Sequence, residues 1–275
     1  MSVRGQRGNA RDHGVKQGSI MRAGLVSVTF RQKSVPEILA LAKEANLETV
    51  EWGGDVHVPV GDTARAAEVG RLTRDAGLCT GSYGSYFRCE DDRDDAFLPT
   101  AQTAHALGAQ TVRIWAGRRD AQALSAAGFD TLVHRIRAAA AVAAAYGQTL
   151  AFEFHHGTAN NTARNALRLH EAVGMENVRT YWQPTYWADA DDAADLAALR
   201  PILQNVHVYH WKGAERFLLS AGQDRWKTYV SLLAGMPCDL LLEFVRGDSP
   251  DALSADAQTL RALLFSVGEP QKGQA

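Results

Sequence analysis

The stretch Arg179–Trp187, RTYWQPTYW, reads as a buried β-strand that runs straight into a Gln-Pro corner. Gln183 stands where the strand stops. A polar residue at that point either tidies a loop or faces a site, and the rest of the chain decides which. TLAFEFH (149–155) ends on Glu153 and His155, NVHVYHW (205–211) carries His207 and His210, and DLLLEF (239–244) ends on Glu243.

Upstream, GLVSVTF (24–30), LETVEW (47–52), LCTGSYG (78–84) and QTVRIWA (110–116) complete a set of eight strand runs. Helical stretches such as VPEILALAKEAN, DTLVHRIRAAAAVAAAYG and SADAQTLRALLFSV separate them. The strand runs read as continuously apolar, the pattern of parallel strands covered on both faces. Strands alternating with helices imply βαβ units, and eight such units in about 250 residues match a (β/α)8 TIM barrel. An open doubly wound sheet is the alternative. It usually carries a GxGxxG turn after its first strand, and TFRQKSVPE has no glycine there. The expectation is an α/β chain forming one barrel over residues 23–267. Residues 1–22 read as a disordered leader, with Met21 as a second candidate start, and residues 268–275 as a flexible tail.

Composition narrows the function. The chain has 275 residues, 46% hydrophobic content and a formal charge of −2. Bulk electrostatics give no footing for nucleic acid or a membrane surface. Cys79, Cys89 and Cys238 are scattered, with no CxxC, so neither a disulfide framework nor a thiolate metal site is indicated. A reducing cytoplasm is the expected location.

In a barrel the active site forms at the C-terminal ends of the strands. There the chain carries Glu153, His155 and His156 on strand five, Gln183 on strand six, His207, His210 and Lys212 on strand seven, and Glu243 and Arg246 on strand eight. Glu51, His57, Tyr83, Tyr86 and Arg113 come from strands two to four. A buried charge needs a partner or a chemical role. Two carboxylates, an imidazole and an amide oxygen suit a divalent Mg, Mn, Co or Zn ion. The bland readings are an ion-pair partner for Glu153, a loop hydrogen-bonder for His57, and packing for Trp52 and Trp115.

LAFEFHH, VHVYHWKG and LLLEFVRGDSPDALSADAQTLRAL resemble the xylose-isomerase-like barrel superfamily from about Ala23 to Val267. The resemblance implies a divalent-metal-dependent sugar isomerase or epimerase with Glu153, Gln183, His210 and Glu243 as ligands. Glu153 and Glu243 become the proton-transferring pair through an enediolate. His155, Arg216, Lys212, Tyr86 and Arg246 become substrate-binding, with His207, His57 and Glu51 as further candidates. His210 is preferred over His207 because Arg216 follows it by six residues, a family spacing, and because it lies nearer the strand end. The chain departs from the pattern at Gln183 (aspartate in the family), Tyr186 (often histidine) and Ala159 (a glutamate in the epimerases). The implied partner is a small sugar or polyol, with a homo-oligomer left open. The rival readings are a keto-inositol dehydratase, a sugar-binding barrel whose metal site has lapsed and, disfavoured by the charge, an endonuclease IV-like phosphodiesterase.

Overall fold

The computed structural model describes residues 21–90, 93–185 and 191–268. In chain order the strands are β1 (Arg22–Val26), β2 (Thr49–Gly53), β3 (Cys79–Gly84), β4 (Thr111–Ile114), β5 (Thr149–Phe152), β6 (Val178–Trp182) and β7 (Leu203–Val208). A ribbon of β8 (His210–Lys212) and β9 (Glu215–Phe217) follows, and then β10 (Asp239–Leu242). The ribbon is antiparallel and separate; the other eight strands close a barrel in the order β1-β10-β7-β6-β5-β4-β3-β2. The chain is therefore a (β/α)8 TIM barrel. Helices α1 (Val35–Glu44), α2 (Thr63–Asp75), α3 (Leu98–Leu107), α4 (Ala126–Ala145), α5 (Ala163–Val173), α6 (Asp192–Leu199), α7 (Gln223–Leu232) and α8 (Pro250–Gly268) wrap it. No described helix is long and apolar enough to cross a membrane.

Local signals set the helix ends. Ser34 and Glu37 form a capping box at the start of α1, whose first turn also holds Pro36. Helix α3 stops at Gly108, in the left-handed region at φ 84°, where glycine carries no Cβ penalty. Val35, Ile38 and Ala42 on α1 are fully buried, the inward stripe of an amphipathic helix.

The strands alternate after all. Leu25, Val50, Trp52, Val112, Ile114, Leu150, Phe152, Trp182, Val206, Val208, Leu240 and Leu242 point outward into the large apolar layer beneath the helices. Inside the barrel the apolar cluster is small: Val26, Val28, Ala151, Tyr181 and Leu241, with Phe244 against it. The remaining inward positions carry Glu51, Ser82, Arg113, Asn205, His207 and Asp239, all buried. The expectation of uniformly apolar strands is corrected here. One face of each strand is apolar, and the other mixes this small apolar cluster with buried polar groups, most of them hydrogen-bonded to one another.

Two strand boundaries differ from the sequence reading with consequences for the site. Strand β1 ends at Val26, and Ser27–Phe30 form a 3-10 turn in which the Ser27 hydroxyl accepts from the Gly53 N–H at 2.9 Å. Strand β7 ends at Val208, so His210 lies beyond it, on the ribbon. Most of the expected leader, most of the tail, and Tyr186 and Trp187 lie outside the described residues.

Candidate active site

Glu51 is the centre of the barrel's interior. It is fully buried on β2 and accepts from the Ser82 hydroxyl at 2.7 Å, the Tyr181 hydroxyl at 2.9 Å and the Arg113 Nε at 2.7 Å. Burial would raise its pKa, but Arg113, His207 and Ser82 outweigh that and hold it well below the usual carboxylate range. The Tyr181 phenol moves the other way, pushed far up by burial and by the Glu51 charge. Tyr181 in turn accepts from the Asn205 amide at 3.0 Å.

Arg113 reaches inward from β4 and joins two carboxylates. Its Nε pairs with Glu51, and its Nη1 with Glu153 beyond the end of β5. The guanidinium is buried, and its pKa is raised well above normal: burial alone would lower it, but Glu153, Glu51 and Glu243 prevail. Gly84 gives it room, since a Cβ there would lie 2.7 Å from Arg113 Nη2 and 2.8 Å from Glu51 Oε1.

On the opposite wall His207, with no exposure to solvent, sits between acceptors. Its Nδ1 lies 3.1 Å from Gln183 Oε1 and 3.2 Å from Glu243 Oε2, and its Nε2 lies 3.6 Å from Glu51 Oε1. Nδ1 thus faces two acceptors, while the buried Nε2 has no hydrogen-bond partner. Burial would lower its pKa, but Glu243 and Glu51 push it up to about 10. Glu243 is correspondingly lowered, burial opposing and His207 and Arg113 prevailing. The role of Gln183 follows from this pairing. Its amide oxygen accepts from His207 without adding another negative charge.

The mouth is built from cations lying on aromatic faces. Phe244, directly after Glu243, adopts φ 47° and anchors its N–H on the Thr29 hydroxyl at 2.9 Å. Arg31 and Arg216 lie 5.7 Å and 5.2 Å from its ring centre. Arg31 also donates to the Tyr86 hydroxyl at 2.8 Å and pairs with Asp55 at 2.9 Å, while Arg216 pairs with Asp248 at 2.7 Å. Arg88 stacks 4.2 Å over Trp115.

The structure thus brings Glu51, Glu153, Gln183, His207 and Glu243 together, with Tyr86 and Arg216 at the mouth. It places other expected residues elsewhere. His210 packs on the ribbon, 6.0 Å from the Phe217 ring centre and against Gly222. It lines a small recess with Arg225, Trp226 and Tyr229. The nearness to the strand end that favoured it over His207 is lost because β7 stops two residues earlier. His57 is a loop anchor: Nε2 donates to the Lys33 carbonyl at 3.1 Å, and Nδ1 accepts from Ser27 at 3.0 Å. His155 donates from Nδ1 to the His156 carbonyl at 2.7 Å and lies 5.0 Å from the Trp115 ring. Lys212 and Arg246 are exposed. Trp52 and Trp182 face the helices. Sequence reasoning missed the inward role of Tyr181 and the place of Arg113 between two glutamates. Inward-facing period-two positions on β4 and β6 carried the signal for both.

The expected four-ligand metal set does not fit this arrangement. His210 stands on the ribbon, Arg113 takes one oxygen of Glu153, and His207 Nδ1 takes one oxygen each of Glu243 and Gln183, which leaves His207 Nε2 buried without a hydrogen-bond partner. Among the described residues no group of three or more His, Cys, Asp and Glu side chains is arranged to hold a metal ion.

Comparison with solved structures gives the fold its relatives. The probable 3-DHS dehydratase AsbF of Bacillus anthracis matches with a TM-score of 0.76 at 18% identity, over 88% of this chain and 99% of that one. A xylose isomerase domain protein from Planctomyces limnophilus matches at 0.72 and 16%, over 90% and 98%. D-psicose 3-epimerase from Clostridium cellulolyticum H10 matches at 0.71 and 15%, over 91% and 100%. A search of curated proteins found no match. Residues 39–263 match the model of the xylose isomerase-like TIM barrel, and the chain belongs to that family.

Proposed function

We propose that this barrel moves a proton at the carbon beside a carbonyl of a sugar or related polyol, as an isomerase or epimerase does. One observation carries the reading: Glu153 and Glu243 follow β5 and β10, which are separated in the barrel wall by β6 and β7, and each is buried beside a cation. Two carboxylates on different walls suit removal of a proton from one face and its return to another. Glu243, kept ionised by His207, is the base. The His207 imidazolium and the Arg113 guanidinium put fixed positive charge where an enediolate would develop. Tyr86 and Arg216 at the mouth orient hydroxyls, with His155, Lys212 and Arg246 at the rim. In this reading side-chain cations, rather than a metal, supply the positive charge. The solved relatives described as epimerases lend the substrate class, and the dehydratase shows a neighbouring chemistry on the same fold.

The test is solvent exchange. Ketoses, aldoses and inososes are incubated with the protein in D2O and followed by NMR. Deuterium should enter one carbon beside a carbonyl, and Glu243→Gln and Glu153→Gln should each lower the rate by about a hundred-fold or more. Exchange with loss of water would assign a dehydratase. Binding without exchange on any compound would make the barrel a sugar-binding protein and end the proton-transfer reading.

A further inference from the structure

We infer that Arg113 is the resident cation of this site and occupies the electrostatic place of a divalent ion, so that the barrel excludes metal by construction. The inference concerns the same site as the proposed proton transfer but is read without any substrate. Three observations converge. The guanidinium is buried on β4 and bound to one oxygen of Glu51 and one of Glu153, so both carboxylates already face a fixed positive charge. On the other wall His207 Nδ1 is turned to Gln183 and Glu243, its Nε2 lies 3.6 Å from Glu51 without a hydrogen bond, and among the described residues no three His, Cys, Asp and Glu side chains are arranged to hold an ion. Nδ1, donating to the Gln183 and Glu243 oxygens, has no lone pair to give a metal. Finally, Gln183 is neutral. Three buried carboxylates here surround one guanidinium and one imidazole, and an aspartate at 183 would add a fourth with no further basic group to meet it. The glutamine and the arginine are two parts of one substitution: a site that keeps its positive charge in a side chain needs one carboxylate fewer.

Gly84 records the same design in the backbone. Only a residue without Cβ leaves space for Arg113 Nη2 beside Glu51, so the strand next to β4 is shaped around the guanidinium.

The test is metal binding, read by isothermal titration with Mn²⁺ and by the shift of the melting temperature, with no activity assay. Chelator-treated wild-type protein should show no stoichiometric uptake below millimolar Mn²⁺ and no change in melting temperature. Uptake of one ion per chain at micromolar concentration would overturn the inference. The variant Arg113→Ala/Gln183→Asp removes the fixed cation and restores the carboxylate. It should gain Mn²⁺ affinity by about a hundred-fold or more, since both changes act at contact distance. A folded variant that binds no better than wild type would also overturn it. If circular dichroism shows that the variant does not fold, Arg113→Gln/Glu51→Gln/Gln183→Asp removes both members of the buried pair together and is judged by the same two outcomes. Should that variant fail to fold as well, the wild-type titration alone decides. These readouts stay independent of the exchange assay, so failure of one leaves the other standing.

Discussion

Gly84 and Phe244 are the residues whose backbones carry most of the site's geometry. A methyl group at 84 would meet a guanidinium and a carboxylate at 2.7 and 2.8 Å, and neither can swing away without breaking a buried ion pair. Overpacking of this kind costs about 1–3 kcal/mol. Gly84→Ala should therefore lower unfolding stability by that amount in urea titrations, an unusual penalty for a change that normally favours a strand. Phe244 has the opposite problem. Its φ of 47° is unfavourable for a residue with a Cβ, by roughly 1–2 kcal/mol. The strain is offset by the Thr29 anchor and by two arginines on the ring, and it turns Glu243 inward while the ring stays at the mouth. Both Phe244→Ala and Phe244→Gly lose the ring, but only the glycine loses the strain. Phe244→Gly should thus be the more stable of the two by about 1 kcal/mol, reversing the order expected elsewhere in a strand or helix. Equal stabilities would show that the turn holds no strain.

The strand order and the helices between strands were legible because each element carries its own signal: a capping box at Ser34, left-handed glycines after α3 and α5, apolar runs of four to six residues. What was not legible is which residues face inward. In RTYWQ the outward Trp182 and the inward Tyr181 are both large and aromatic, so the alternation is hidden by similar hydrophobicity. In QTVRIWA the single arginine looks like an exception in an apolar run, although it is the inward residue of a period-two pattern. The seventh strand shows the same limit at its end. VHVYHW reads as one run, yet the chain leaves the barrel after Val208 and begins a ribbon, which carries His210 away from the site. The two histidines should accordingly behave differently. His207→Gln disrupts a buried charge pair and should cost about 3–5 kcal/mol together with solvent exchange at substrate carbon. His210→Gln should retain the exchange. A reversal of these results in paired denaturation and exchange measurements would return His210 to the centre. Arg113 offers a comparable test between β2 and β4: Arg113→Met leaves Glu51 buried without its main partner, and adding Glu51→Gln should recover part of the loss in a double-mutant cycle.

Across the whole molecule, one carboxyl outside the site sets a clear pH response. Asp256 on α8 accepts the Leu219 N–H at 2.7 Å ahead of α7. Burial raises its pKa from 3.8 to about 6, against that hydrogen bond and the Arg246 charge. The folded state therefore holds this proton more tightly than the unfolded chain. Stability falls as pH rises from about 4 to about 6, and the cost is fully present at neutral pH. Asp256→Asn keeps an acceptor for Leu219 without the charge, so it should raise stability at pH 7 by roughly 1–3 kcal/mol. The gain should vanish below about pH 4. A gain that is the same at both pH values would show that the carboxyl ionises normally.

The seam between β1 and β10 has a consequence in time. These neighbours are joined in register from Arg22↔Asp239 to Leu25↔Leu242, and the Arg22 guanidinium grips Asp239 with bonds of 2.7 and 2.9 Å across 217 residues of chain. During synthesis β1 emerges first and its partner almost last, so one edge of the sheet waits unpaired while seven strands accumulate. Contacts so distant in sequence repay their loop-closure entropy late, which makes ring closure the slow event of folding. Until then β1 and β7 are open edges that invite pairing with another nascent chain.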